Sequence, residues 1–178
     1  VNMTNHENGR VQIEFSTPAR SLIGYRDEFL TDTRGTGLMN SSFAGYEKYK
    51  GDFANRYSGS LIADRPGVSV PYALFNLEPR GNLFITPGSK VYEGMVIGEH
   101  NRDGDLNVNP TKKKQLSNMR ASGKDEAVIL SPIMPMTLER ALQFIRDDEL
   151  VEITPLSIRI RKKALSAHAR KKLDKQND

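Results

Sequence analysis

Cysteine and tryptophan are both absent from this chain of 178 residues, and aromatic residues make up only 7% of it. The lack of cysteine excludes disulfides, thiolate metal sites and cysteine nucleophiles together, and it suits a reducing cytoplasm. No apolar run approaches the roughly 20 residues of a bilayer-spanning helix. The opening VNMTNHENGR is not a basic-then-apolar leader. It starts on Val rather than Met and reads as the cut start of something longer.

Catalytic signatures are missing as well. RGTG and PGSK lack the GxxxxGK[ST] spacing whose backbone amides cradle phosphates. RDGDLNVN sets Asp103, Asp105, Asn107 and Asn109 at alternate positions, but a calcium loop needs Gly at its sixth position and Glu at its twelfth. Val108 and Lys114 stand there instead, so a solvated, turn-rich loop is the better account. His6, His100 and His168 lie far apart without ligand spacing. Asp147 and Asp148 follow a predicted helix and are expected to face water. The chain carries no catalytic residue, metal site or cofactor site in this reading and is not expected to be an enzyme by itself.

What is present is an uneven charge. The net value of +4 conceals two basic segments, residues 102–124 with six Lys/Arg against two Asp, and 159–178 with eight against two. Acidic residues therefore outnumber basic ones elsewhere, which points to a polyanionic partner touched at defined places.

Periodicity predicts an α+β chain. RVQIEFSTPA alternates as a half-buried strand, SLIGYRDEFLTDTRGTG has helical spacing with Ser21 as cap and Gly35 and Gly37 as exits, and LMNSSFAGYEKYK reads as a second strand. This strand–helix–strand unit is too small to bury both faces of its sheet. From residue 53 a β-rich domain without early helices is expected, running to about 163. EAVILSPIMP returns as a strand. MTLERALQFIRDDE is the one main helix, capped by Thr137, with Leu138, Ala141, Leu142 and Ile145 on one face. LVEITPLSIRIRKK gives two strands turning at Pro155, and residues 164–178 a frayed helix or disordered tail.

The segment NPTKKKQLSNMRASGK is the candidate site. Roughly two dozen residues between flanking strands leave the domain and return, and an extended out-and-back path reaches at most about 40 Å. Few of them are apolar, so the segment is expected to be mobile when unbound. Lys112, Lys113 and Lys114 offer point charges to phosphates; Asn118, Arg120 and Lys124 add donors for phosphate, ribose or base edges. Arg159, Arg161, Lys162 and Lys163 form a second basic run. The residues alone leave two readings open, an RNA-binding finger or a loop docking on an acidic protein surface. Salt dependence separates them.

ARSLIGYRDEFLTDTRGTGLMNSSFAGYE, RGNLFITPGSKVYEGMVIGEHNRDGDLNVN, LSNMRASGKDEAVIL and MTLERALQFIRDDELVEITPLSIRIRKK together resemble the C-terminal portion of the bacterial BipA/TypA family, ribosome-associated translational GTPases related to elongation factor G. The likeness covers Arg10 to about Lys163. It implies that residues 1–52 are the second half of a ferredoxin-like module of the elongation factor G domain V type, and that the following domain is special to the family. It also implies that Asn107 to Ser122 is a loop reaching toward the peptidyl-transferase centre, large-subunit rRNA and the acceptor end of A-site tRNA. Further implications are a role in ribosome assembly and in cold or stress adaptation, a cytoplasmic ribosome-associated location and no membrane partner. GTP and Mg would belong to the GTPase domain, which with a barrel domain lies N-terminal in the family. Arg20 and Arg26 either face ribosomal RNA or pair with Asp27 or Glu28.

Overall fold

In the computed structural model, residues 2–6, 9–51, 56–114, 129–133 and 135–177 are described. The chain divides into two compact units, Val1–Ala54 and Asn55–Asp178. Both α and β structure are present, as expected.

Unit 1 opens on a hairpin. Strand β1 (Asn2–Asn5) pairs antiparallel with β2 (Val11–Glu14), Asn2 opposite Glu14 and Asn5 opposite Val11. The polar opening is thus a strand, and beyond it His6 N–H donates to the Arg10 carbonyl at 2.8 Å. Both strands are exposed throughout, so the expected half-buried face of β2 is not buried here. A 3-10 turn over Ala19–Leu22 leads into α1 (Tyr25–Asp32). Its N-cap is Gly24, not Ser21, whose hydroxyl instead bonds the Pro18 carbonyl at 2.7 Å. Gly35, at φ +75°, donates to the Leu30 carbonyl at 2.7 Å and closes the helix. Residues 38–50 form no strand, and Leu38, Phe43 and Tyr46 are exposed. Strand propensity without a neighbouring ladder leaves backbone groups to water, so the segment stays irregular. Arg20 stacks over the Tyr49 ring, 4.4 Å from its centroid, and donates to the Gly51 carbonyl.

Unit 2 is built on a six-stranded sheet. Its strands are β3 (Ser60–Ala63), β5 (Gly81–Leu83), β7 (Met95–His100), β8 (Leu106–Val108), β9 (Glu149–Thr154) and β10 (Ser157–Lys162). The order is β8-β3-β7-β10-β9. β3 lies along one edge of β7; β10 and β5 share the other edge, at Met95–Val96 and Gly98–His100 respectively. β8 runs parallel to β3, and β4 (Gly67–Val68) pairs with β6 (Lys90–Val91) in a small separate ladder.

Alternation along β3 and β7 sends side chains to both faces. Leu61, Ala63, Met95 and Ile97 join Leu74, Leu77, Leu83 and Val108 in one core; Val96 and Ile160 join Ala141 and Phe144 in another. Burial on both faces explains the unbroken apolar runs SLIA and MVIG. The first core takes α2 (Pro71–Leu77), where no helix was expected. Pro71 supplies the first helical position, and Ala73, Leu74 and Leu77 are its buried stripe. The second core takes α3 (Leu138–Phe144), capped by Thr137, whose side chain accepts from the Arg140 N–H at 3.2 Å. Its buried face is Ala141 and Phe144, whereas Leu138 and Leu142 are about half exposed. Phe144 meets Phe84 edge-on at 5.1 Å, which fixes the helix on the aromatic contact.

Residues 129–133, expected in a returning strand, pair with no strand among the described residues, and Leu130 and Ile133 pack against the first core. The turn at Pro155 joins β9 and β10 as expected. The tail is a helix, α4 (Ala167–Asn177). No helix among the described residues is long and apolar enough to cross a membrane.

Candidate nucleic-acid interface

The basic loop leaves unit 2 from a fixed point. β8 ends at buried Val108, whose carbonyl accepts from Asp64 N–H at 2.9 Å. Asn109 Oδ1 then accepts from both the backbone N–H (2.9 Å) and the hydroxyl (2.8 Å) of Thr111, making a side-chain-closed turn. Between them Pro110 is fully buried, and its carbonyl accepts from Val70 N–H at 3.0 Å, at the start of α2. Lys112, Lys113 and Lys114 follow directly, all exposed. The chain returns where Leu130 and Ile133 pack on the same core and Ser131 N–H donates to Glu78 Oε1 at 2.6 Å. Both ends of the excursion therefore rest on one scaffold. Asn118, Arg120 and Lys124, and the expected mobility of the segment, lie outside the described residues.

β7 extends through His100 and β8 adds a strand that the periodicity missed, so the excursion begins at Lys112 rather than near Glu99. Its covalent ceiling shrinks accordingly. About nine residues each way at roughly 3.3 Å give about 30 Å, not 40.

Three of the four alternating residues from Asp103 to Asn109 serve the fold itself. Asp105 Oδ1 accepts from Ser60 N–H at 2.9 Å, Asn107 Oδ1 takes a hydrogen bond from Arg170, and Asn109 closes the turn just described. Asp148, expected to face water, also holds Lys162 at 2.6 Å.

The second basic run divides by strand parity. Ile158, Ile160 and Lys162 point one way along β10, Arg159 and Arg161 the other. The Lys162 side chain is 1% exposed and its ammonium meets Asp105 (2.5 Å), Asp148 (2.6 Å) and Glu149 (3.0 Å). Burial alone would lower its pKa, but the hydrogen bonds to Asp105, Asp148 and Glu149 outweigh that and hold it above the ordinary lysine value. Lys162, expected as an RNA contact, is thus part of the interior: a cation enclosed by three carboxylates has no face left for phosphate. Its position in phase with Ile158 and Ile160 was the available signal.

Glu149 is the centre of this network. Its Oε1 also accepts from Ser60 Oγ (2.6 Å) and Arg56 Nη2 (3.1 Å), and its Oε2 from Arg146 N–H (3.1 Å). The Arg56 guanidinium lies 3.6 Å from the centroid of the Phe144 ring, and Arg146 donates to the carbonyls of Arg56, Tyr57 and Ser58. None of these arginines belongs to a basic run, so charge patterning did not reveal them.

On the other face, Arg161 Nε meets Glu152 Oε1 at 2.8 Å and Arg159 Nε lies 3.6 Å from Oε2. Tyr92 donates its hydroxyl to the same carboxylate at 2.5 Å; burial first, and then Glu152, raise its pKa far above the usual phenol value. Arg159 and Arg161 remain about one-third exposed. Lys163 is exposed, its backbone N–H bound to the Asp148 carbonyl at 2.9 Å.

Comparison with known sequences accounts for both units. Residues 58–167 match the TypA/BipA C-terminal domain family, and residues 1–57 match the elongation factor G C-terminus family. The large ribosomal subunit assembly factor BipA of Buchnera aphidicola subsp. Schizaphis graminum is 53% identical over 175 residues, 98% of this chain and 29% of the relative. The protein of the same name from Escherichia coli (strain K12) is 50% identical over 175 residues, with the same shares of each chain. That of Synechocystis sp. is 52% identical over 174 residues, covering 98% of this chain and 28% of the relative. The chain thus spans less than a third of the length of these curated relatives. On the match over residues 58–167 and these identities, it belongs to the TypA/BipA family, of which it carries the C-terminal domain.

Proposed function

We propose that this chain is the ribosome-binding part of a translational GTPase acting in assembly of the large ribosomal subunit, and that its basic loop contacts RNA there. The observation that carries this reading is the loop's construction, with both ends tied to one core and Lys112–Lys114 exposed at its start. Tying both ends lowers the entropy lost when the loop engages a target, and three adjacent ammonium groups suit a phosphate backbone better than any single acidic side chain. The relatives' shared name, large ribosomal subunit assembly factor, supports the target. In this reading Lys112, Lys113, Lys114, Asn118, Arg120 and Lys124 meet large-subunit rRNA and the acceptor end of A-site tRNA. Lys163 and the exposed edges of Arg159 and Arg161 play a lesser part. GTP hydrolysis and its Mg belong to the N-terminal GTPase domain of the whole protein, which works in the cytoplasm on ribosomes and supports growth in the cold or under stress.

The test is co-sedimentation of the whole protein with large ribosomal subunits across a potassium chloride titration. Changing Lys112, Lys113 and Lys114 to Gln should flatten the log affinity against log salt line by about 3, at roughly 0.9 per phosphate contact. An unchanged slope would remove the loop as an anchor. Binding that ignores salt in the parent protein would favour docking on a protein surface instead.

A further inference from the structure

The C-terminal run AHARKKLDKQN is the basic segment that the loop does not account for. On α4, His168, Lys171, Lys172 and Lys175 fall at i, i+3, i+4 and i+7 and so form one stripe. All four side chains are exposed. Ser166, Ala167, Ala169 and Arg170 are partly buried, whereas Leu173 beyond them is exposed, so the seat of the helix is its N-terminal end.

Several contacts seat the helix. Gly94, at φ +85°, lets Leu165 lie so close that an added Cβ would stand 2.6 Å from the Leu165 Cα. Ser166 Oγ accepts from Ala169 N–H at 3.2 Å, and Glu93 Oε1 accepts from Ala167 N–H at 3.2 Å, placing a carboxylate at the positive end of the helix. Arg170 donates to the Ala164 carbonyl at 3.0 Å, to the Leu165 carbonyl and to Asn107 Oδ1. Asn107 belongs to β8, the strand that leads into Lys112. One arginine of the run is therefore spent on anchoring, and it ties α4 to the strand from which the basic loop departs.

We propose that Lys171, Lys172 and Lys175 form a second, rigidly mounted contact for the phosphate backbone of ribosomal RNA, separate from the loop. The proposal rests on the ribosomal reading above and adds a surface to it. Charge complementarity selects the occupant: three cations on one helical face, without apolar side chains between them on that face, suit a line of phosphates rather than a protein core. Because the helix is already formed and docked, its lysines bind without the ordering cost that a free tail would bear.

The experiment measures binding of the whole protein to deproteinised large-subunit ribosomal RNA and to intact large subunits, from 50 to 200 mM salt. Changing the three lysines to Gln keeps helix propensity and removes charge. The parent should lose about 40-fold more affinity across that range than the variant, from three contacts at roughly 0.9 each. Three Arg replacements should restore the parent slope. If the Gln variant binds both targets as the parent does while the Lys112–Lys114 Gln variant is impaired, the α4 proposal falls and the loop reading stands. If neither variant is impaired, both fall. Weaker binding to intact subunits with unchanged binding to naked RNA would assign the stripe to an acidic protein and overturn the RNA assignment. A variant that loses its helical circular dichroism is replaced by Lys172→Gln alone, expected to remove about one-third of the effect.

Discussion

The lysines of the two basic segments look alike as text, yet Lys112–Lys114 and Lys162 are placed in opposite ways. Lys112, Lys113 and Lys114 leave the body immediately after a pinned turn and stay exposed. Lys162, in a run of similar density, is enclosed by Asp105, Asp148 and Glu149. The difference lies in what precedes each lysine. A side chain in phase with the apolar residues of a central strand is carried inward whatever its charge, and the fold must then supply counter-charges. One that follows a turn is presented to solvent. Local charge density therefore does not tell an exposed cation from an enclosed one; the phase of the underlying element does.

The contrast breaks most readily at Glu149. Glu149→Ala would leave Lys162 and Arg56 facing a buried gap, and breaking such a network costs about 3–5 kcal/mol. Amide hydrogen exchange at β3 and β7 reads the stability of unit 2 by itself. A loss under about 1 kcal/mol would show that these cations are not built into the interior. Thr137→Ala removes only one helix cap and should cost about 1 kcal/mol by the same measurement. Gln at Lys112, Lys113 and Lys114 should shift the protection by less than about 0.5 kcal/mol while changing RNA affinity. A large stability loss there would mean that the loop lysines are structural after all.

Alkaline pH sharpens the same contrast. Lys162 and Tyr92 both have folded pKa values raised above their unfolded ones. The stability tied to them is fully present below the unfolded values, near pH 10, and is lost as pH rises beyond that toward the folded values. Thermal melting of unit 2 should hardly respond to these two groups from pH 7 to 9 and should fall above 10. Tyr92→Phe should remove part of that fall.

Legibility followed the reach of local physics. Period-two alternation exposed β2, short β-like runs between turn residues exposed β3 and β7, the turn at Pro155 marked β9 and β10, and the Thr137 cap was readable because capping uses residues three apart. The short helix α2 was hidden because seven residues carry less than two full turns of periodicity, and Pro71 reads as a breaker unless it is recognised as a first position. Residues 38–50 have strand-like composition, but a strand exists only with a ladder partner, which no local pattern supplies. For the site, the exposed lysines were legible as charge. Arg56, Arg146 and Glu149 were not, because Arg56 meets the other two across separations of about ninety positions, and pairings at that distance leave no periodic trace.

Anchoring the loop at Pro110 and at Leu130–Ile133 makes its length an independent variable. Adding half a dozen residues to a closed excursion of this size raises the closure entropy by only about 0.3 kcal/mol, because the cost grows as the logarithm of length. The loop can be lengthened or trimmed while the sheet that carries it is left unaltered.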